Sequence, residues 1–270
     1  MSTGRAVLAL VVALAAANVP RGSVVVDAVP RCADAERQVL HAARAEEAVE
    51  VSRGRERLRA RLGAVEAFRA VRSEHAGSGN VGARSALAAC KHLTTLGLDG
   101  EAWLEADAAV RLARTDAILL DAHLERAHAA RRSEEWEHAL DDYRWCAART
   151  AGERRVEALL RAGEASAELG FVEQARTLWT DAVLDPTPCT ETVEVYDRLA
   201  RDCLERGDPE GAAGWLGACE RALHDELVCI TPTGTSLRRA LIGMRARFEL
   251  QCLASEAAVR HAPNVDDRDD

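Results

Sequence analysis

The chain has 270 residues, 48% of them hydrophobic, 4% aromatic and 29% charged, with a net charge of -9. An Ala-, Leu-, Arg- and Glu-rich chain with only 7 prolines is expected to be almost wholly helical, and it is long enough to bury a core. The acidic balance and the absence of a concentrated basic footprint argue against nucleic acid as a partner.

Residues 1–17 have the three parts of a secretory signal. Arg5 supplies the positive start, Ala6 to Ala17 is an uninterrupted apolar run, and Ala15-Ala16-Ala17 offers a small-x-small cleavage site before Asn18. The run is shorter than the ~20 residues of a spanning helix, although an uncleaved anchor or an ordinary buried helix remain alternatives. A periplasmic or secreted location is therefore expected, with no membrane span after cleavage. Cys32 follows Val-Pro-Arg, which is no acylation box.

Residues 18–32, with Pro20, Gly22 and Pro30, read as an extended leader. Residues 33–82 read as an N-terminal helical cap and linker. The stripe Leu58, Leu62, Val65, Phe68 and Val71 predicts helix, Ser52-Arg53-Gly54 is the expected break, and His75 to Gly82 has linker composition.

A period then appears over residues 83–223. Gly97, Glu134, Gly170 and Gly207 are separated by 37, 36 and 37 residues. The same steps separate Ala102, Ala139, Ala175 and Ala212, then Ala106, Tyr143, Trp179 and Leu216, then Ala109, Cys146, Ala182 and Cys219. The clearest unit is a hairpin. Leu159, Ala162, Gly163 and Ser166 fall at helical spacing, Gly170 is placed to end that helix, and Val172, Ala175, Trp179 and Ala182 stripe the next. Small Gly163 and Ala175 would let the two helices cross closely, with Trp179 filling the space beyond.

This pattern of a small residue in each helix, a glycine turn and a following aromatic resembles the tetratricopeptide repeat (TPR). The departures are Glu134 at a turn glycine, Gly100 in the first turn and a period longer than 34. The resemblance implies an all-α, right-handed α-solenoid of about four TPR-like hairpins with N- and C-terminal helical caps. Residues 224–262 supply the C-terminal cap: a loop from His224 to Gly234, then a helix capped by Ser236. Leu237, Leu241, Met244, Phe248 and Cys252 stripe one face of that helix, and Arg238, Arg239, Arg245 and Arg247 the other. Residues 263–270 form an acidic tail.

An even count of eight cysteines in an exported chain suggests disulfides, with Cys229–Cys252 and Cys203–Cys219 as the candidate pairs. The competing reading is that Cys90, Cys146 and Cys219 occupy small apolar repeat positions as free thiols. No C-x-x-C, Walker loop or G-x-S-x-G occurs, no G-x-G-x-x-G follows a strand, and no histidines pair at i, i+4, so no catalytic residue, cofactor or metal site is expected.

In the family that this chain resembles, positions two, five, nine and thirteen of each first helix line a concave groove. Here that implies Glu157, Leu160, Glu164 and Glu168, then Glu194, Asp197 and Arg201. The resemblance points to a non-catalytic protein–protein interaction scaffold or adaptor of the cell envelope. Its partner would be a protein or peptide with a basic segment, drawn to a partly acidic groove anchored by Leu160. A helical accessory domain of an enzyme complex and a cytoplasmic TPR scaffold are the rival readings.

Overall fold

A computed structural model describes residues 29, 31, 32, 34–75, 77–184, 187–228 and 232–261. The signal at 1–17, most of the leader, Cys229 and the tail at 263–270 lie outside the described residues. Every regular element described is a helix: α1 Ala35–Val51, α2 Gly54–His75, α3 Val81–Thr95, α4 Asp99–Leu112, α5 Asp116–Arg132, α6 Trp136–Ala147, α7 Glu153–Glu168, α8 Val172–Val183, α9 Thr190–Glu205, α10 Pro209–Ala222, α11 His224–Val228 and α12 Pro232–His261. None of them is long and apolar enough to cross a membrane. The described residues form two compact units divided after Ala129, and within each unit successive helices pack on one another.

In the N-terminal unit, Asp34 caps α1 by accepting from the Glu36 amide at 3.0 Å. The break expected at Ser52-Arg53-Gly54 separates α1 from α2, with Gly54 in left-handed backbone at φ 55°. Of the expected stripe, Leu62, Val65, Phe68 and Val71 are buried, and Leu58 is half-buried. Val65, Phe68 and Val71 pack with Val49, Cys90, Leu93, Ala102 and Ala106. The linker expected over His75 to Gly82 is shorter than its composition suggests. Val81 already begins α3 and Gly82 is buried within it. The segment before it is fixed by hydrogen bonds, the Val81 amide donating to the Ser78 carbonyl at 3.1 Å and the Arg114 amide to Asn80 Oδ1 at 2.7 Å.

His92 lies in this core, stacked on Phe68 with ring centroids 6.0 Å apart. Burial lowers its pKa from the ordinary 6.5; Glu46 and Glu50 oppose that lowering, and Arg61 adds to it. The folded ring therefore takes up its proton at lower pH than the unfolded one, so stability is lost as pH falls below about 6.5 towards the folded value. Denaturant midpoints measured through this window should fall less steeply in His92→Leu than in the parent chain.

The periodic turns share one geometry. Gly97, Glu134, Gly170 and Gly207 have φ of 71°, 61°, 80° and 74°. After each, the next amide reaches back five residues: Leu98 to Leu93, Glu135 to Ala130, Phe171 to Ser166 and Asp208 to Cys203, at 2.8 to 3.0 Å. These are Schellman closures, which satisfy carbonyls that a helix end would otherwise leave unpaired. Glu134 is the one non-glycine described with positive φ, so it carries a Cβ penalty that its three counterparts avoid. Glu134→Gly should raise stability by about 0.5–1 kcal/mol, that penalty less the entropy of glycine, and Gly170→Ala should lower it by about 1 kcal/mol. Urea unfolding of both variants checks the pair.

In the C-terminal unit α6 to α10 pack in succession, and α7 also meets α9. The small and aromatic positions Ala139, Tyr143, Gly163, Ala175, Trp179, Ala182 and Ala212 are all buried, whereas Val172 is exposed. Asp208 and Pro209 start α10, the Asp208 carboxylate accepting from the Gly211 amide at 2.8 Å. The loop expected over His224 to Gly234 instead holds α11 and the start of α12. Pro232 begins α12, because proline suits a first helical position, so Ser236 is interior to the helix and not its cap. Leu237, Leu241, Met244 and Phe248 of α12 pack with Tyr196, Ala200, Cys219 and Leu223.

Cys203 and Cys219 are both buried free thiols. Burial pushes the Cys219 thiol up to about 12, with Glu220 and Asp197 adding to the shift.

Candidate functional site

A cleft of about 170 Å³ opens in the C-terminal unit between Arg131, Trp136, Glu164, Ala167, Glu168, Trp179 and Arg198. Its inner wall is built from the hairpin. Trp179 of α8 lies against Gly163 of α7, where a Cβ would stand 2.2 Å from the indole nitrogen. That nitrogen donates to the Leu160 carbonyl at 3.2 Å. Only a residue without a side chain leaves room for the ring, and the hydrogen bond satisfies its one buried donor.

Glu164 follows Gly163 and is the hub of the site. Its side chain is 12% exposed and meets Arg198 at 2.6 Å, Arg161 at 3.1 Å and Arg131 at 3.8 Å. Arg161 extends the network to Glu194 at 3.2 Å. Burial works against the charge of Arg161, but Glu164 and Glu194 outweigh it and hold the guanidinium above its ordinary pKa. Beneath the cleft, burial drives the Tyr143 hydroxyl well above the usual tyrosine range, opposed by a hydrogen bond from Arg131.

A second hub is Asp197 on α9. It pairs with Arg201 one turn on and with Arg247 of α12 at 3.0 Å. A third is Asp202, bound by Arg176 at 2.9 Å and Arg206 at 2.9 Å, its pKa lowered chiefly by the Arg176 hydrogen bond.

The structure brings Glu164 and Glu168 to the cleft and ties Glu194 to its network; Glu157 is half-buried and Arg201 half-exposed. Leu160, expected as an exposed anchor, is instead 0% exposed. The reason is positional. The fifth residue of the first helix is buried in three of the hairpins: Leu87, Leu160 and Asp197. That position faces the packing between helices, and an aspartate there needs the arginines it has. Of the carboxylates expected in the partly acidic groove, Glu164, Glu194 and Asp197 are each paired with arginine. Glu168 stays exposed at the rim.

Arg131, Trp136, Arg161 and Arg198 were not anticipated. One signal could have found two of them: Arg161 and Arg198 are one 37-residue period apart, at the sixth position of successive first helices. Among the described residues no group of His, Cys, Asp and Glu is placed to hold a metal ion. No family model and no curated protein matches this sequence.

Proposed function

We propose that this chain is a non-catalytic scaffold that binds an extended protein segment at the Trp136–Trp179 cleft. The helices are read as a right-handed array of about four TPR-like hairpins with helical caps at both ends. The apolar run Ala6 to Ala17 supports a place in the cell envelope or outside the cell. The observation that carries the function is the cleft itself, two tryptophans among charged groups held in place by ion pairs. Aromatic rings with fixed polar neighbours make good anchor sites for a partner side chain, and stacked helices present such sites in series.

The partner segment carries arginine or lysine. Its cation would stack on Trp136 and pair with Glu168, the exposed carboxylate of the cleft. Individual surface pairs are weak, ~0–1 kcal/mol, so binding should need several contacts and fall with salt. The test is selection of displayed random peptides on the full chain, followed by calorimetry of the winners. Enriched Arg or Lys, with binding lost in Glu168→Lys and Trp136→Ala, supports the reading. Winners indifferent to both variants would overturn it.

A further inference from the structure

The outer face of α12 is apolar, although the sequence places four arginines between residues 238 and 247 of this helix. Arg238 donates to the Leu227 carbonyl at 2.6 Å, Arg245 to Glu220 at 2.8 Å, and Arg247 pairs with Asp197 at 3.0 Å. These three reach back onto the C-terminal unit and leave the helix crest uncovered. Ile242, Leu250 and Leu253 on that crest are 67%, 68% and 62% exposed, and Ala246 between them is exposed too. Their spacing of four, four and three residues puts them on one side, opposite Leu237, Leu241, Met244 and Phe248. A helix apolar on two opposite faces has one face still to be covered.

We propose that the occupant is a second copy of this chain, its α12 lying antiparallel to the first across a two-fold axis near Ala246. Charge chooses this partner and this direction. Arg239 and Glu249 are exposed on opposite sides of Ala246 along the helix. Parallel pairing would set each against its own kind. Antiparallel pairing about Ala246 sets Ile242 against the second copy's Leu250, and brings Arg239 within about one helical turn of the second copy's Glu249. The small Ala246 at the axis lets the two backbones approach, and one patch serves both copies, as a closed dimer requires.

Sedimentation velocity of the full chain over a concentration series, with reductant present, tests this. A reversible monomer–dimer equilibrium is expected. Ile242→Asp with Leu250→Asp should weaken it at least tenfold while the melting curve of the dilute monomer stays unchanged, because both side chains are exposed there. Arg239→Glu and Glu249→Arg should each weaken the dimer, and the two together should restore it. A monomer at every concentration would overturn the proposal, as would a dimer that survives the double aspartate variant or a charge exchange that fails to restore association. Monomeric chain that binds anionic vesicles through Ile242 would replace the second copy with a lipid surface.

Discussion

Trp179→Ala is expected to lower the stability of the C-terminal unit by about 3–5 kcal/mol, the range for a large buried aromatic. The ring is buried, and its nitrogen is hydrogen-bonded to the Leu160 carbonyl. Truncation therefore leaves a cavity at the α7–α8 crossing and removes a wall of the cleft. Gly163→Ala attacks the same contact from the other helix. Its Cβ would fall 2.2 Å from the indole nitrogen and 2.5 Å from Cδ1, so the ring must move or the helices must part. Overpacking of this kind costs about 1–3 kcal/mol. The two changes should couple, because the added methyl enters space that the missing ring no longer fills. Chemical denaturation of both single variants and the double variant closes the cycle. A double variant as unstable as the two singles combined would show that Gly163 and Trp179 do not share one crossing.

Much of this hairpin was legible in the sequence because it depends on residue size and backbone freedom. Gly163, Ala175 and Gly170 announce a close crossing and a left-handed turn by what they lack. Glu134 could be placed at an equivalent turn by period alone, and its φ of 61° matches its glycine counterparts. Side chains that act through partners were harder to read. Glu164 looks like a groove carboxylate until Arg131 and Arg198, 33 and 34 residues away, are found on it. The burial of Asp197 depends on Arg247, fifty residues on. On α12 the heptad-like pattern gave the buried face, but the arginines are long enough to bend away from the side on which their Cα atoms lie. Periodicity fixes where a Cβ points. It does not fix where a guanidinium ends.

The same hub makes Glu164 a stabilising residue before it is a binding one. Glu164→Gln keeps the volume and removes the charge, leaving Arg161 and its two neighbours with one acceptor fewer between them. Breaking a buried ion pair from one side typically costs about 3–5 kcal/mol. The side chains of Arg131 and Arg198 are 34% and 40% exposed, so water relieves part of that, and about 2–3 kcal/mol is expected here. Glu164→Lys should be worse, since it sets a fourth cation among three. Glu168, two turns from the Glu194 pair and exposed at the rim, should tolerate Gln or Lys within about 0.5 kcal/mol. The two positions therefore separate fold from recognition. A thermal melt of Glu164→Gln should shift downward with circular dichroism otherwise retained, and high salt should narrow the gap to the parent chain by screening the unpaired arginines. Glu168→Lys should melt with the parent and differ from it only when a basic segment is offered. An unshifted melt for Glu164→Gln would mean that the three arginines are held by packing of their stems, and that the carboxylate at their centre is replaceable.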